Sequence, residues 1–178
     1  MQHPRELPYR IYLIGFMGSG KSHYGTHLAE ALNYQFIDLD EAIVQKAGQT
    51  IPQIFSTQGE AAFRQIEKQV VQESTQTTRI VYATGGGAPC FFDNLDQMKN
   101  GGVVLYLKAE PELLVQRLQN EQDGRPLLQG KTKLELTQFI EQKLMERRSF
   151  YEQAHAIIHI SSNADPIVDW MIQFLKFV

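Results

Sequence analysis

Gly15-Phe16-Met17-Gly18-Ser19-Gly20-Lys21-Ser22 is the stretch that decides the fold. An apolar run, Ile11-Tyr12-Leu13-Ile14, precedes it, and a pattern that puts Tyr24, Leu28, Ala31 and Leu32 on one helical face follows it. The spacing G-x-x-x-x-G-K-[ST] between a strand and a helix is that of a phosphate-binding loop, the P-loop. Glycines let the backbone curl so that successive N–H groups point at a phosphate, and the helix adds free N–H groups and the positive end of its dipole. Gly18, Ser19, Gly20, Lys21 and Ser22 are therefore candidate nucleotide contacts. Lys21 is placed for the terminal phosphates, and the Ser22 hydroxyl for Mg²⁺.

The 178 residues suit one α/β domain with room for a small insertion. A hydrophobic share of 43% and a charged share of 21% place the chain among soluble globular proteins. A net charge of −3 offers no basic surface for nucleic acid, so none is expected as a partner. Cys90 is the single cysteine, which excludes an intramolecular disulfide and a cysteine metal cluster. Residues 1–10 lack the apolar core of a secretory signal, and no apolar run reaches membrane-spanning length. A cytoplasmic location and no membrane contact are the expectation.

Outward from the P-loop, strand and helix alternate. Strands are expected at Arg10–Ile14, Tyr34–Asp40, Ile80–Thr84, Val103–Leu107 and Ala156–Ile160. Helices are expected from the P-loop to about Asn33, over Glu41–Ala47, from Thr50 with a break near Gly59, and over Phe91–Lys99. Further helices follow from Glu110, from Thr132, and from Asp165 through Trp170, Phe174 and Leu175. Thr50 with Gln53 three residues later has the form of a capping box. The alternation predicts a three-layer α/β/α fold with a central parallel sheet of about five strands. A small helical substrate-binding subdomain is expected near 41–75, and a lid near 121–131 that contains Arg125.

The acceptor is read from the remaining polar residues. Asp38 and Asp40 stand two apart at a strand end and are expected to share a face. A natural division gives Asp38 the hydrated Mg²⁺ and Asp40 an acceptor hydroxyl, whose proton it can take as that hydroxyl attacks the γ-phosphoryl group. Arg64 and Arg147 lie near apolar helix faces and suit the carboxylate of an acidic small molecule. On spacing alone, ion pairs are the stronger reading: Arg64 with Glu60 or Glu67, Arg147 with Glu146 or Asp123. Gly85-Gly86-Gly87 at a strand end permits close backbone approach to a ligand. Arg125 is placed to close over the phosphates. His23, His27, His155 and His159 read as surface or packing residues, and Cys90 as a partly buried thiol.

Together these elements resemble the shikimate kinase family, from about Ile11 to the last helix. The matching pieces, in the family's order, are Gly15–Ser22, Asp38-Leu39-Asp40, Gly59-Glu60…Phe63-Arg64…Glu67, Gly85–Gly87, Arg125-Pro126-Leu127-Leu128, and Arg147 four before Tyr151. The resemblance implies an enzyme that transfers the ATP γ-phosphoryl group to the 3-hydroxyl of shikimate, giving 3-phosphoshikimate and ADP in aromatic amino-acid biosynthesis. It implies that Asp40, Arg64, Gly86 and Arg147 hold shikimate with Gly85 and Gly87 beside them, and that both arginines take its carboxylate. Lys21 and Arg125 would hold phosphates, Ser22 would ligate Mg²⁺ directly, and Asp38 would act through water. Lys21, Asp40 and Arg125 would be the catalytic set, in a monomer. His23 stands where the family usually has Thr: a backbone N–H contact to the α-phosphate would survive that change, and the hydroxyl contact would be lost; Ser149 stands where Pro is usual. The rivals are another small-molecule carboxylate kinase, such as a gluconate kinase, and an ATP-binding regulatory module without catalysis.

Overall fold

The structure, a computed structural model, describes residues 7–119, 128, 130–161 and 166–178. Five strands form one sheet: β1 Arg10–Ile14, β2 Gln35–Asp38, β3 Ile80–Ala83, β4 Val103–Ala109 and β5 Ala156–Ile160. Their order is β2-β3-β1-β4-β5 and every pairing is parallel. In a parallel sheet all C-terminal ends lie at one edge, which is where open α/β folds bind ligands. The P-loop follows β1 there, Asp38 ends β2 there, and the three glycines follow β3 there.

The period of two along each strand divides the interior. Ile11, Leu13, Val81, Val103, Leu105 and Leu107 face one core, which α1 (Lys21–Leu32), α5 (Pro111–Leu118), α6 (Lys133–Tyr151) and α7 (Ile167–Leu175) cover. Tyr12, Ile14, Tyr82, Val104 and Tyr106 face the other, which α2 (Leu39–Ala47), α3 (Ile51–Ser74) and α4 (Asn94–Gly101) cover. Both faces of the central strands are thus buried, and β4 reads as a nearly unbroken apolar run for that reason. Among the described residues no helix is long and apolar enough to cross a membrane.

Local chemistry sets the helix ends. Asn33 closes α1 in the left-handed conformation and Gly48 closes α2 in the same way. Thr50 and Gln53 form the expected capping box, and Thr132 with Glu135 forms a second. Gly59, at φ 81° and ψ 172°, breaks α3 into two helical stretches where the sequence placed a new start.

Several boundaries and faces differ from expectation. The segment 34–40 is not a strand to its end: β2 stops at Asp38, whose side chain caps α2 by accepting the Asp40 N–H. Asp40 is therefore in the first helical turn, and the strand-face argument that joined it to Asp38 fails. Phe91–Phe92–Asp93 is loop, preceded by a 3₁₀ turn at Ala88–Cys90, so α4 begins only at Asn94. Strand β4 runs two residues past Leu107. In α1 Ala31 is exposed, and Gly25 and Ala29 are buried in its stead. In α7 Ile167, Met171 and Leu175 are buried while Trp170 is 43% exposed. Asp165 and most of the segment 121–131, Arg125 included, lie outside the described residues; Leu128 is fully buried in the first core.

Candidate active site

The turn after β1 places its donors as a phosphate cradle requires. Gly20 precedes α1 at φ 94°, and a Cβ there would lie 2.7 Å from the Tyr24 ring, so only glycine fits. No side chain caps α1 and its first turn carries no acid. Its leading N–H groups and positive dipole end are left for an external anion. Lys21 Nζ donates to the Gly15 and Phe16 carbonyls at 2.9 Å each, which folds the ammonium back over the loop. Ser19 is fully buried and its Oγ has no hydrogen-bond partner. His23 is exposed, its ring edge-on to Tyr24 and 4.6 Å from that of His27, so its side chain lies along the helix surface.

Ser22 Oγ donates to Asp38 Oδ2 at 2.8 Å. The pair brings one hydroxyl and one carboxylate together beside the loop, a hard oxygen set suited to Mg²⁺. Among the described residues no group of three His, Cys, Asp or Glu could hold a metal. That sparse set fits an ion that keeps several waters and takes its remaining ligands from phosphates.

Each of the three glycines after β3 faces a different charged side chain with bare backbone. A Cβ on Gly85 would lie 2.7 Å from Asp40 Oδ1, one on Gly86 3.2 Å from Arg147 Nη1, and one on Gly87 2.9 Å from both Nη atoms of Arg64. The Gly86 position is also 3.4 Å from the Gly15 carbonyl and 3.5 Å from the Met17 nitrogen, both in the P-loop. An acid and two arginines from three separate helices thus converge on one turn, and that turn abuts the phosphate cradle.

Arg64 makes both ion pairs that its spacing suggests, to Glu60 at 3.2 Å and to Glu67 at 2.8 Å. These bonds use Nε–H, one N–H of Nη1 and one of Nη2. A guanidinium has five N–H donors, so one remains on each terminal nitrogen. Both terminal nitrogens lie 2.9 Å from the Cβ position of Gly87, so the guanidinium turns toward Gly87 the edge that can take a carboxylate in a bidentate contact. Arg147 behaves otherwise. Glu146 pairs with Lys143 instead, and Arg147 Nη1 is buried without a hydrogen-bond partner above the Phe16 ring. A buried, unpartnered guanidinium nitrogen is costly unless an anion arrives. Asp123, the other partner considered for Arg147, lies outside the described residues.

The neighbours fit such a site. Burial raises the pKa of Glu67 above the usual carboxylate range although Arg64 pulls it down, and Asp40 raises it further. Tyr151 donates its hydroxyl to the Gly86 carbonyl at 2.6 Å, and burial holds that hydroxyl protonated. Arg117 of α5 donates to the Gly18 carbonyl at 2.8 Å and so braces the P-loop. Cys90 is half-buried, and its burial pushes the thiol up to about 11, which keeps it unreactive.

The chain is similar to known proteins along nearly its whole length. The family model described as "Shikimate kinase" matches residues 17–176. A shikimate kinase of Bacteroides thetaiotaomicron is 42% identical over 165 residues, 92% of each chain.

The chain belongs to the shikimate kinase family.

A crystal structure of shikimate kinase from Bacteroides thetaiotaomicron superposes with a TM-score of 0.87 at 38% identity, over 96% of this chain and 97% of that one. Shikimate kinase from Acinetobacter baumannii in complex with shikimate gives 0.82 at 38% identity, over 95% and 92%. A gluconokinase from Sinorhizobium meliloti gives 0.57 at 19% identity over 97% and 94%, a likeness of fold alone. From the sequence, Glu67 is named only as an ion-pair partner of Arg64 and Tyr151 only as the end of the motif after Arg147, while Arg117 and Phe91 have no role in the site. Arg117 carried a signal, a charge among Leu113, Leu114 and Leu118. Glu67 carried a weaker one, its i+3 spacing from Arg64.

Proposed function

We propose that the protein transfers the γ-phosphoryl group of ATP to the 3-hydroxyl of shikimate, giving 3-phosphoshikimate and ADP. The observation that carries this reading is the turn Gly85–Gly87, which seats one acid and two arginines directly against the P-loop. Shikimate offers what that set would recognise, a carboxylate and ring hydroxyls. The two spare N–H groups of Arg64 and the buried Nη1 of Arg147 would take the carboxylate. Asp40 would orient the attacking hydroxyl and accept its proton as the new P–O bond forms. Proximity contributes much of the rate, since a well-held acceptor reacts as if at very high local concentration.

On the donor side, the N–H groups of residues 18–23 and the Lys21 ammonium would hold the phosphates and offset charge in the transition state. Ser22 would hold Mg²⁺ directly and Asp38 through water, and the ion would supply positive charge to offset that of the phosphates. Arg125, in a lid near 121–131, would close over the γ-phosphoryl group and exclude water, which otherwise would hydrolyse ATP. The helices near 41–75 would form the acceptor subdomain. A monomer in the cytoplasm, with no nucleic-acid or membrane partner, completes the proposal.

The test is ADP release from Mg-ATP with shikimate and, in parallel, with gluconate. Release that depends on shikimate is the expected result. Release with gluconate alone would replace shikimate by the rival acceptor. ATP binding without release from either would favour a regulatory module.

A further inference from the structure

Arg64 has a long side chain, and both of its carboxylate partners come from its own helix, one turn to either side. Those bonds fix the guanidinium relative to α3. They do not fix it relative to the Gly85–Gly87 turn, where its spare N–H groups have to meet a ligand. That second constraint comes from the loop after the 3₁₀ turn. Arg64 Cζ lies 3.9 Å from the centroid of the Phe91 ring, closer than the 4.9 Å to Phe63 beside it in sequence. The next residue, Phe92, has φ 52°, a left-handed backbone that an aromatic residue rarely adopts. This bend sends consecutive rings to different targets: Lys68 Nζ lies 5.1 Å from the Phe92 ring and 3.0 Å from Asp93 Oδ1. Arg64 and Lys68 stand four residues apart on α3, so residues 91–93 grip one face of that helix at two successive turns.

We propose that Phe91 is a positioning residue for the acceptor: it presses the Arg64 guanidinium flat, so that its two spare N–H groups present a fixed edge beside Gly87. This rests on the reading of Arg64 as the ligand of the acceptor carboxylate. A stacked ring suits the task because it restrains a guanidinium without consuming any N–H donor, all of which Arg64 needs for its two carboxylates and the ligand. Arg64 is only 13% exposed, so the contact is largely desolvated.

The experiment compares Phe91→Leu, Phe91→Tyr and Arg64→Ala in steady-state kinetics with shikimate and ATP, with thermal unfolding as the folding control. Phe91→Leu keeps the apolar volume and removes the π face. It is expected to raise the KM for shikimate about fivefold, the worth of a partly desolvated cation–π contact. KM for ATP and kcat should stay within about twofold, because only uniform binding of the acceptor is lost. Phe91→Tyr should restore the wild-type KM. An unchanged shikimate KM in Phe91→Leu, or an equal rise in Phe91→Tyr, overturns the positioning role while Arg64→Ala still raises the KM. If Arg64→Ala itself leaves the shikimate KM unchanged, the carboxylate reading fails and the role of Phe91 falls with it.

Discussion

A methyl group on Gly86 would stand 3.2 Å from Arg147 Nη1 and 3.4 Å from the Gly15 carbonyl, between the acceptor site and the P-loop. Each would have to give by a few tenths of an ångström: the guanidinium ends a long side chain but is buried there, and the carbonyl is backbone. Gly86→Ala should therefore misplace both halves of the reaction. We expect kcat/KM for shikimate to fall by about tenfold or more, since displacements near 1 Å can cost a hundredfold. The melting temperature should move by only a few degrees, and a large drop would mean the glycine serves folding instead. At this scale the sequence was legible in residue type more than in partner. Spacing suggested ion pairs for Arg64, and those pairs exist. It could not show that two N–H groups remain for a ligand, because that depends on the three-dimensional approach of Gly87. Glu67 was illegible as a buried acid, because its burial comes from α3 packing against elements distant in sequence.

Among elements, the clearest lesson is the junction of β2 and α2. Asp38-Leu39-Asp40 reads as a strand end by its flanking apolar residues. The Asp38 side chain instead bonds the Asp40 N–H and starts a helix, a competition that favours Asp at caps. In α7 the face could not be chosen by hydrophobicity, because Trp170, Phe174 and Met171 are all apolar and only packing on α1 and β5 selects among them. The join between β4 and β5 yields a prediction. His155 Nδ1 accepts the Val104 N–H at 2.9 Å, and partial burial together with the Lys99 charge holds the ring's pKa below its ordinary value. The unfolded chain then takes up this proton at higher pH than the folded chain. The contribution is complete above the unfolded value, about 6.5, and is lost as pH falls through the lower folded value. Urea midpoints should fall on acidification across that window, and less in His155→Asn, which keeps an acceptor that does not titrate. Equal pH dependence in both proteins would remove His155 as the cause.

For the whole molecule, one parallel sheet explains why chemistry separated widely in sequence meets at one edge. The P-loop and the three glycines follow two different strands and Asp38 ends a third, and parallel pairing aligns them. The alternation of strands and helices made this architecture readable, since the period of two assigns strand residues to the two cores without knowledge of their contacts. Strand β4 has six buried residues, more than any other strand. Leu105 is fully buried beside Leu13, and Leu105→Ala should cost about 3 kcal/mol by chemical denaturation, with the KM for shikimate unchanged in the folded fraction. The central claim joins these scales: one turn, Gly85–Gly87, seats the acceptor against the phosphates. Its most direct test is a crystal structure of the protein with shikimate and Mg-ADP bound. The expected density places the shikimate carboxylate on Arg64 and Arg147, with a ring hydroxyl at Asp40 facing the P-loop. A carboxylate bound elsewhere, with Arg64 still engaged only by Glu60 and Glu67, would contradict it.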